Sequence, residues 1–277
     1  VIKHIKVGNL IVVYGDYDAD GVTATATLTE VLNIFKAKTM VYIPARVSEG
    51  YGLNNQAIDL LAKENRAKLI ITVDNGIRNK REVEYAKSAG LDIIVTDHHE
   101  APPDPADWPD CLILNPKADN NYPFKYLADV GVAFKLAKAL IETCKLDDKL
   151  KARLEEKILD LAAIGTVADM MSLKSENRIL VHRGLEILNR GKRLGINELI
   201  KVAQINGGKE IKAFKIGWQI APRLSSAGRM DHANTAYELL MTKDKAEAAA
   251  IAEKLNEKNS ARQKITDDIF TQAKKIV

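Results

Sequence analysis

The feature that most constrains the fold is a regular alternation of short apolar runs with helical patterns in roughly the first 120 residues. The apolar runs are Leu10–Tyr14, Val41–Ile43, Leu69–Val73, Asp92–Thr96 and Cys111–Leu114. Helical patterns follow the first three runs, at about 22–36, 54–63 and 80–88. Such alternation is typical of a parallel sheet with helices on both faces, and the unbroken apolar character of LIIT and DIIVT indicates strands buried on both sides. We therefore predict an α/β fold with a doubly wound parallel sheet.

From about Tyr126 the pattern becomes helical. Helices are predicted over Val132–Cys144, Leu150–Ala163, Asn177–Asn189 and Lys245–Val277. The last segment is rich in Ala, Glu, Lys and Ile, which fits either a solvated amphipathic helix or a connector between domains. We expect a catalytic domain over 1–240, with an α/β part over about 1–125 and a helical part over about 126–240. Residues 241–277 would form a long helix leading to a further, substrate-binding domain.

Composition excludes some classes of protein. The chain has 277 residues, of which 46% are hydrophobic and 28% charged, as is ordinary for a soluble globular protein. No apolar run approaches the eighteen or so residues that span a membrane. Cys111 and Cys144 form no metal-type pair, so we expect a reducing cytoplasm. The net charge of +4 permits an anionic partner. Since the chain starts at Val1 and ends within a helical pattern, we expect a piece of a longer protein.

Three carboxylates follow the first predicted strand at alternate positions: Asp16, Asp18 and Asp20. The same spacing opens an EF-hand calcium loop, in which position twelve supplies a bidentate carboxylate. Here position twelve is Thr27, and a strand rather than a helix comes first. An EF-hand is therefore disfavoured.

Further acidic and histidine residues follow the later strands. Asp74 follows the third apolar run, and Asp97, His98 and His99 follow the fourth. The carboxyl ends of parallel strands meet at one edge of a sheet, so these side chains should converge there, with Asp169 closing the site. Any one of them alone could be a helix cap or a surface residue. Together they would be unstable without cations, and carboxylates with imidazoles but no thiolate suit Mn²⁺ or Mg²⁺. More than four candidate ligands indicate two ions.

Four of these segments, GDYDADG, TVDNGI, TDHHE and GTVADM, resemble in this order the signature motifs of the DHH phosphoesterase superfamily. Two more, YIPARVSEGYGLN and APRLSSAGRM, are similar to those of its RecJ-type branch, single-strand-specific 5′→3′ exonucleases. The resemblance covers the chain from Val12 to about Met230. It implies hydrolysis of single-stranded DNA to 5′-mononucleotides in repair or recombination. The alternatives are a phosphoesterase for small substrates such as nano-RNA, cyclic dinucleotides or pyrophosphate, and a non-catalytic binding module.

The resemblance also implies roles for particular residues. Asp74 would bridge two divalent ions, with Mn²⁺ expected first and Mg²⁺ as the alternative. Asp16 would hold the first ion, and the second would be completed by Asp18, His98 and Asp169. His99 would contact phosphoryl oxygens, and Asp20 and Asp97 would orient ligands from behind. The implied nucleic-acid contacts are Arg46, Tyr51, Arg223, Ser225, Ser226, Gly228 and Arg229.

The implied partners are single-stranded DNA and a single-strand-binding protein or repair helicase, for a monomeric protein away from membranes. Two positions depart from the family pattern. Tyr14 stands where many DHH enzymes have a histidine ligand of the first ion, so we expect weaker binding there. Ser225 stands in place of an asparagine, which replaces an amide contact by a hydroxyl contact.

Overall fold

The computed structural model describes residues 1–205, 210–230 and 234–275, without the side chains of Arg229 and Met230. Its sheet has five strands, β1 (Leu10–Tyr14), β2 (Lys38–Tyr42), β3 (Leu69–Val73), β4 (Asp92–Thr96) and β5 (Leu112–Leu114). All neighbouring strands pair in parallel, in the order β2-β1-β3-β4-β5. The predicted parallel sheet is confirmed, and β1, β3 and β4 have the predicted bounds. The strand order reverses between β1 and β3, where the crevice for a ligand opens in such folds.

The helices of the α/β part are α1 (Ile2–Lys6), α2 (Ala19–Ile34), α3 (Asn55–Asp59) and α4 (Lys80–Ser88). A π-helical segment, Leu60–Glu64, continues α3. The helical region contributes α5 (Asp129–Glu142), α6 (Asp148–Ala168), α7 (Ser175–Asn189), α8 (Leu194–Val202), α9 (Ala213–Lys215), α10 (Ala221–Met230), α11 (Asn234–Met241) and α12 (Lys245–Ala273). A second π-helical segment, Ile216–Ile220, joins α9 to α10.

Side chains of β1 alternate between two cores, as the two-residue period of a strand requires. Ile11 and Val13 pack with residues of α2, α5 and α6 on one face of the sheet. Val12 and Tyr14 pack with residues of α3 and α4 on the other face. Both faces of the sheet are therefore covered, which confirms the doubly wound arrangement and explains the unbroken apolar strands.

A third core joins α2 to the helical region. Ala19, Val22 and Ala26 of α2 are buried there against residues of α6, α8, α10, α11 and α12. Helix α2 is thus enclosed on its two sides, by the sheet-side core and by this one. Because α2 begins directly after the first carboxylate cluster, this burial fixes the position of that cluster.

Helix α12 confirms the predicted long C-terminal helix. Its first half is anchored by the buried residues Ala248, Ala252, Leu255 and Asn259. From Ser260 to Lys275 the described residues are exposed apart from Arg262. The division into residues 1–240 and a connecting helix stays a prediction. Within the described part of the chain, no helix combines the length and apolar character that crossing a membrane requires.

Candidate metal centre

The ends of three adjacent strands supply most of the pocket. Asp16 lies two residues after β1, Asp74 directly follows β3, and His98 and His99 lie just after β4. Asp169 reaches the same place from the C-terminal cap of α6. The cavity has a volume of about 250 Å³ and is lined by Asp16, Tyr17, Asp18, Arg46, Tyr51, Asp74, His98, His99, Asp169 and Ser225. The structure therefore brings together all five predicted metal ligands and His99.

Asp74 is at the centre of this arrangement. Its Oδ1 atom lies 3.2 Å from Nε2 of His98 and 3.8 Å from Nδ1 of His99. Ligand atoms of Asp16, Asp18 and Asp74 form one group within 4.8 Å of one another, and those of Asp74, His98 and His99 form another. Asp74 belongs to both groups, so one carboxylate can serve two adjacent positions. Its φ of 63° lies in the left-handed region, which costs on the order of 1 kcal/mol or more for a residue other than glycine.

A further group joins His98 to the far wall of the pocket. Nδ1 of His98 lies 3.7 Å from Oδ2 of Asp169. Ligand atoms of Asp20, His98 and Asp169 also lie within 4.8 Å of one another. His98 therefore faces Asp74 with one ring nitrogen and Asp169 with the other.

Buried polar atoms test whether a divalent cation fits. Within the described residues, Oδ1 of Asp16, Oδ1 of Asp74 and Nδ1 of His98 are buried and have no hydrogen-bond partner. Burying such atoms without a partner costs about 1–3 kcal/mol each, and the cost is higher for charged groups. A coordinated cation would satisfy all three. The oxygen-rich donor set with one or two imidazoles suits Mn²⁺ or Mg²⁺, so the residues fit the predicted metal.

The protonation states of the pocket are shifted by this crowding. Burial, and then the charge of Asp18, raises the pKa of Asp16 to about 7. Burial, and then Asp20 and Asp18, raises the pKa of Asp74 well above its ordinary value. Burial and Asp18 likewise raise the pKa of Asp169 to about 6. Without a cation the carboxyl groups therefore retain protons near neutral pH, and a bound cation would displace them.

The two adjacent histidines differ in charge. Burial, and then repulsion from His99, lowers the pKa of His98 to about 4, which leaves it neutral as a metal ligand must be. The hydrogen bond to Asp97 raises the pKa of His99 despite partial burial. His99 is thus the cationic group on the wall of the pocket.

Asp97 holds His99 in place. Its Oδ1 accepts hydrogen bonds from Nδ1 of His99 at 2.8 Å and from the backbone N–H groups of His98 and His99 at 2.8 and 3.0 Å. Its Oδ2 accepts from the N–H of Ile77 at 3.0 Å. Burial alone would raise the pKa of Asp97, but the bonds and charge of His99 bring it below the ordinary value. This geometry fits the predicted orienting role of Asp97.

Asp18 and Asp20 divide the remaining tasks of the first cluster. Oδ1 of Asp18 accepts from the N–H groups of Asp20 and Gly21 at 2.9 and 3.0 Å, so Asp18 caps α2. This cap starts α2 at Ala19, three residues before the predicted start. Asp20 turns away from its own helix, and its two oxygens accept from the N–H groups of Asp129 and Val130 at 2.7 and 3.0 Å. Asp20 therefore joins the metal centre to the start of α5.

Asp129 is a residue that the sequence analysis missed. It is fully buried in the first turn of α5, and neither carboxylate oxygen has a hydrogen-bond partner within the described residues. Burial, and then the charge of Asp20, raises its pKa well above the ordinary value. The available signal was a single acid in the apolar stretch LADVGVAF.

Three of the seven predicted nucleic-acid contacts line the cavity: Arg46, Tyr51 and Ser225. The guanidinium of Arg46 lies 5.1 Å from the centroid of the Tyr17 ring. The Tyr51 hydroxyl donates to the carbonyl of Asp74 at 2.6 Å. Oγ of Ser225 accepts from the N–H of Ala19 at 3.1 Å, which fixes α10 beside the first cluster.

The structure does not bring the other contacts to the cavity. Arg223 donates to Oδ1 of Asn256 and to the carbonyl of Gln219. Ser226 is fully buried, and its hydroxyl donates to the carbonyl of Arg223 at 2.6 Å. A Cβ atom on Gly228 would lie 2.3 Å from the carbonyl oxygen of Tyr17, so Gly228 permits a close backbone approach. Ser226 and Gly228 thus pack α10 in place. The side chain of Arg229 lies outside the described residues.

Tyr14 points to the other face of the sheet. It is fully buried, and its hydroxyl donates to the carbonyl of Gly52 at 2.9 Å. Its ring stacks on that of Tyr42, with centroids 5.2 Å apart. Tyr14 therefore positions the loop that carries Tyr51, and it does not line the cavity.

Fold and pocket together define an α/β protein with a carboxylate–histidine metal centre at the carboxyl ends of a doubly wound parallel sheet. Residues 10–166 match the model of the DHH family, N-terminal domain. The chain belongs to the DHH family, as its four motifs predicted.

Curated and solved relatives refine the comparison. The chain is 45% identical over 269 residues to the single-stranded-DNA-specific exonuclease RecJ of Bacillus subtilis (strain 168), covering 96% of this chain and 32% of that protein. It is similar to the crystal structure of exonuclease RecJ bound to manganese, with a TM-score of 0.87 and 34% identity, covering 98% of this chain and 66% of that one. It also resembles RecJ from Thermus thermophilus in complex with Mg²⁺, with a TM-score of 0.73 and 30% identity, covering 98% and 35%. The predicted resemblance to RecJ-type proteins is confirmed, and the chain spans between about a third and two thirds of these relatives.

Proposed function

We propose that this chain is the catalytic part of a metal-dependent exonuclease that hydrolyses single-stranded DNA from its 5′ end to 5′-mononucleotides. The observation that carries the proposal is the set of unpartnered, buried ligand atoms on Asp16, Asp74 and His98 among the described residues. They face a cavity that is also lined by the cationic groups of Arg46 and His99. The printed names of the RecJ relatives support the choice of single-stranded DNA as the substrate.

Two divalent ions would be held by these residues, Mn²⁺ by preference and Mg²⁺ as the alternative. Asp16 would hold the first and Asp74 would bridge the pair, because Asp74 belongs to two ligand groups. Asp18, His98 and Asp169 would complete the second, and the free oxygen of Asp18 is available although its other oxygen caps α2. When bound, such ions lower the pKa of water and neutralise charge on a phosphate.

His99 would donate from its second ring nitrogen to a phosphoryl oxygen as negative charge develops there. Asp97 fixes the orientation of the ring through the 2.8 Å bond to Nδ1 and keeps the imidazolium form favoured. A donor that is already oriented needs no reorganisation during the reaction, which is where such groups gain their catalytic effect.

Arg46 would bind the 5′-terminal phosphate, and Tyr51 and Ser225 would enclose the first nucleotide. A guanidinium offers several parallel donors that match phosphate oxygens. The contact between Arg46 and the Tyr17 ring holds this cation beside the ligand groups. Anchoring a terminal phosphate next to the metal centre would restrict cleavage to the end of the strand.

The cellular setting follows from the chemistry of this substrate. Free single-stranded 5′ ends arise in DNA repair and recombination, and a helicase or a single-strand-binding protein would supply or protect them. We propose that the protein acts there as a monomer in the cytoplasm.

Asp74→Asn tests the proposal. Loss of an outer hydrogen-bond partner of a metal ligand costs about 10–100-fold, so loss of a bridging ligand should lower Mn²⁺-dependent nucleotide release by more than that. Release is measured from a 5′-phosphorylated oligothymidylate, with the exposed Asp107→Asn as the matched control. Unchanged release in Asp74→Asn would refute the assignment of the centre. Faster turnover of a dinucleotide than of the oligonucleotide would instead favour a phosphoesterase for small substrates.

A further inference from the structure

Two large aromatic side chains, Phe214 and Trp218, lie together on the surface of the helical region. They are 67% and 69% exposed. Their ring centroids are 5.9 Å apart, and the ring planes are inclined by 31°. Exposing two adjacent large rings forgoes the stabilisation that burial would give, so the pair indicates a binding surface.

The pair is connected to the metal centre through α10. The π-helical segment that carries Trp218 continues directly into α10, which carries Ser225 of the cavity wall. Trp218 and Ser225 are seven residues apart and thus lie on about the same side of the helical stretch, separated by about 10 Å along its axis. The buried side of this stretch is formed by Ile216, Ile220 and Leu224.

A second contact places the pair near Asp169. A Cβ atom built on Gly217 would lie 3.6 Å from Cγ1 of Val167, at the end of α6. Val167 precedes the metal-ligand candidate Asp169 by two residues. The aromatic pair therefore flanks the cavity on its Asp169 side, held there from two directions.

The charge of this segment selects the kind of partner. Residues 211–230 contain the cations Lys212, Lys215, Arg223 and Arg229 and no aspartate or glutamate. Cations interleaved with exposed aromatic rings suit a polyanion with flat apolar groups, which is the chemistry of single-stranded nucleic acid. An apolar protein segment would gain nothing from this excess of positive charge.

We propose that Phe214 and Trp218 form a stacking platform for a base of the single strand downstream of the nucleotide in the cavity. This inference rests on the proposed function, because it assumes that a strand leaves the metal centre along α10. The platform binds any base, since each has a flat face, and it makes affinity depend on strand length.

Trp218 itself reports on the platform. The chain has two tryptophans, so Trp108→Phe leaves Trp218 as the single emitter. With Mn²⁺ and a 5′-phosphorylated, phosphorothioate-linked oligothymidylate, stacking should quench Trp218 fluorescence, whereas the dinucleotide pdTdT should leave it unchanged. A label at the 3′ end of the oligonucleotide measures binding independently by anisotropy. Binding without quenching refutes the platform alone, whereas absence of binding refutes the proposed function and the platform with it.

Kinetics provide the second test. Base stacking on an aromatic residue contributes enough that Trp218→Ala should raise KM for the oligonucleotide by about 10-fold or more, with kcat little changed. KM for pdTdT should stay constant, and Trp218→Phe should restore oligonucleotide binding. The matched control is Phe270→Ala, which removes an exposed ring on the distal part of α12. Equal effects on both substrates, or no effect on either, would contradict the platform.

Discussion

Replacing Asp16 by Asn should stabilise the metal-free protein at pH 8 and weaken its response to Mn²⁺. Asp16 is only 4% exposed. Burial, and then Asp18, raises its pKa from 3.8 to about 7. The folded protein therefore holds a charge that is more costly there than in the unfolded chain. An amide of nearly the same shape removes that charge.

The size and sign of the effect follow from proton linkage. Because the folded-state pKa is raised, the stability associated with protonated Asp16 is fully present below about pH 4 and is lost as the pH rises to about 7. The difference between 3.8 and about 7 corresponds to about 4 kcal/mol. Neighbouring carboxyl groups share protons with Asp16, so we expect a gain of about 2–3 kcal/mol at pH 8. For a chain of this size that is a rise in Tm of about 5 °C.

The assay is thermal unfolding in EDTA and in Mn²⁺ at pH 5 and pH 8, with Asp107→Asn as an exposed control. Asp16→Asn should unfold at higher temperature than the wild type in EDTA at pH 8, with a smaller difference at pH 5. Mn²⁺ should raise the Tm of the wild type more than that of Asp16→Asn, because binding to the folded state stabilises by mass action. A variant that is equally destabilised at both pH values in EDTA would refute this reasoning.

Two other features lead to measurable expectations. Mn²⁺ affinity should increase from pH 5.5 to pH 8, since protons leave Asp169 and Asp16 around pH 6 and 7; calorimetry in buffers of different ionisation enthalpy should detect proton release, and pH-independent affinity would contradict the assigned ligands. Gly228→Ala should destabilise the protein by about 1–3 kcal/mol in urea unfolding, because the added Cβ would lie 2.3 Å from the carbonyl oxygen of Tyr17. Gly8→Ala is the control, since no heavy atom lies within 4 Å of its built Cβ, although its φ of 71° adds some strain.

The sheet and the location of the centre could be predicted because short-range patterns determine them. Apolar runs gave the bounds of β1, β3 and β4, and the rule that ligands bind beyond strand ends brought Asp16, Asp74 and His98 together. The direction of Tyr14 was also accessible. It shares a face of β1 with Val12 because side chains alternate along a strand.

Other features depend on long-range contacts that no local pattern encodes. Which aspartate of the first cluster caps α2 was decided by Asp20 turning to the N–H groups of α5, more than a hundred residues away. The burial of Asp129 follows from the same contact. Ser226 could be assigned to helix packing only after the partner of its hydroxyl was known.

The most direct test of the metal centre is anomalous diffraction at the manganese edge from crystals grown with Mn²⁺. We expect peaks at coordination distance from Asp74, with Asp16 on one side of it and His98 on the other. Peaks that avoid Asp74, or full Mn²⁺ occupancy in crystals of Asp74→Asn, would contradict the central claim that Asp74 organises a divalent-metal centre at the ends of β1, β3 and β4.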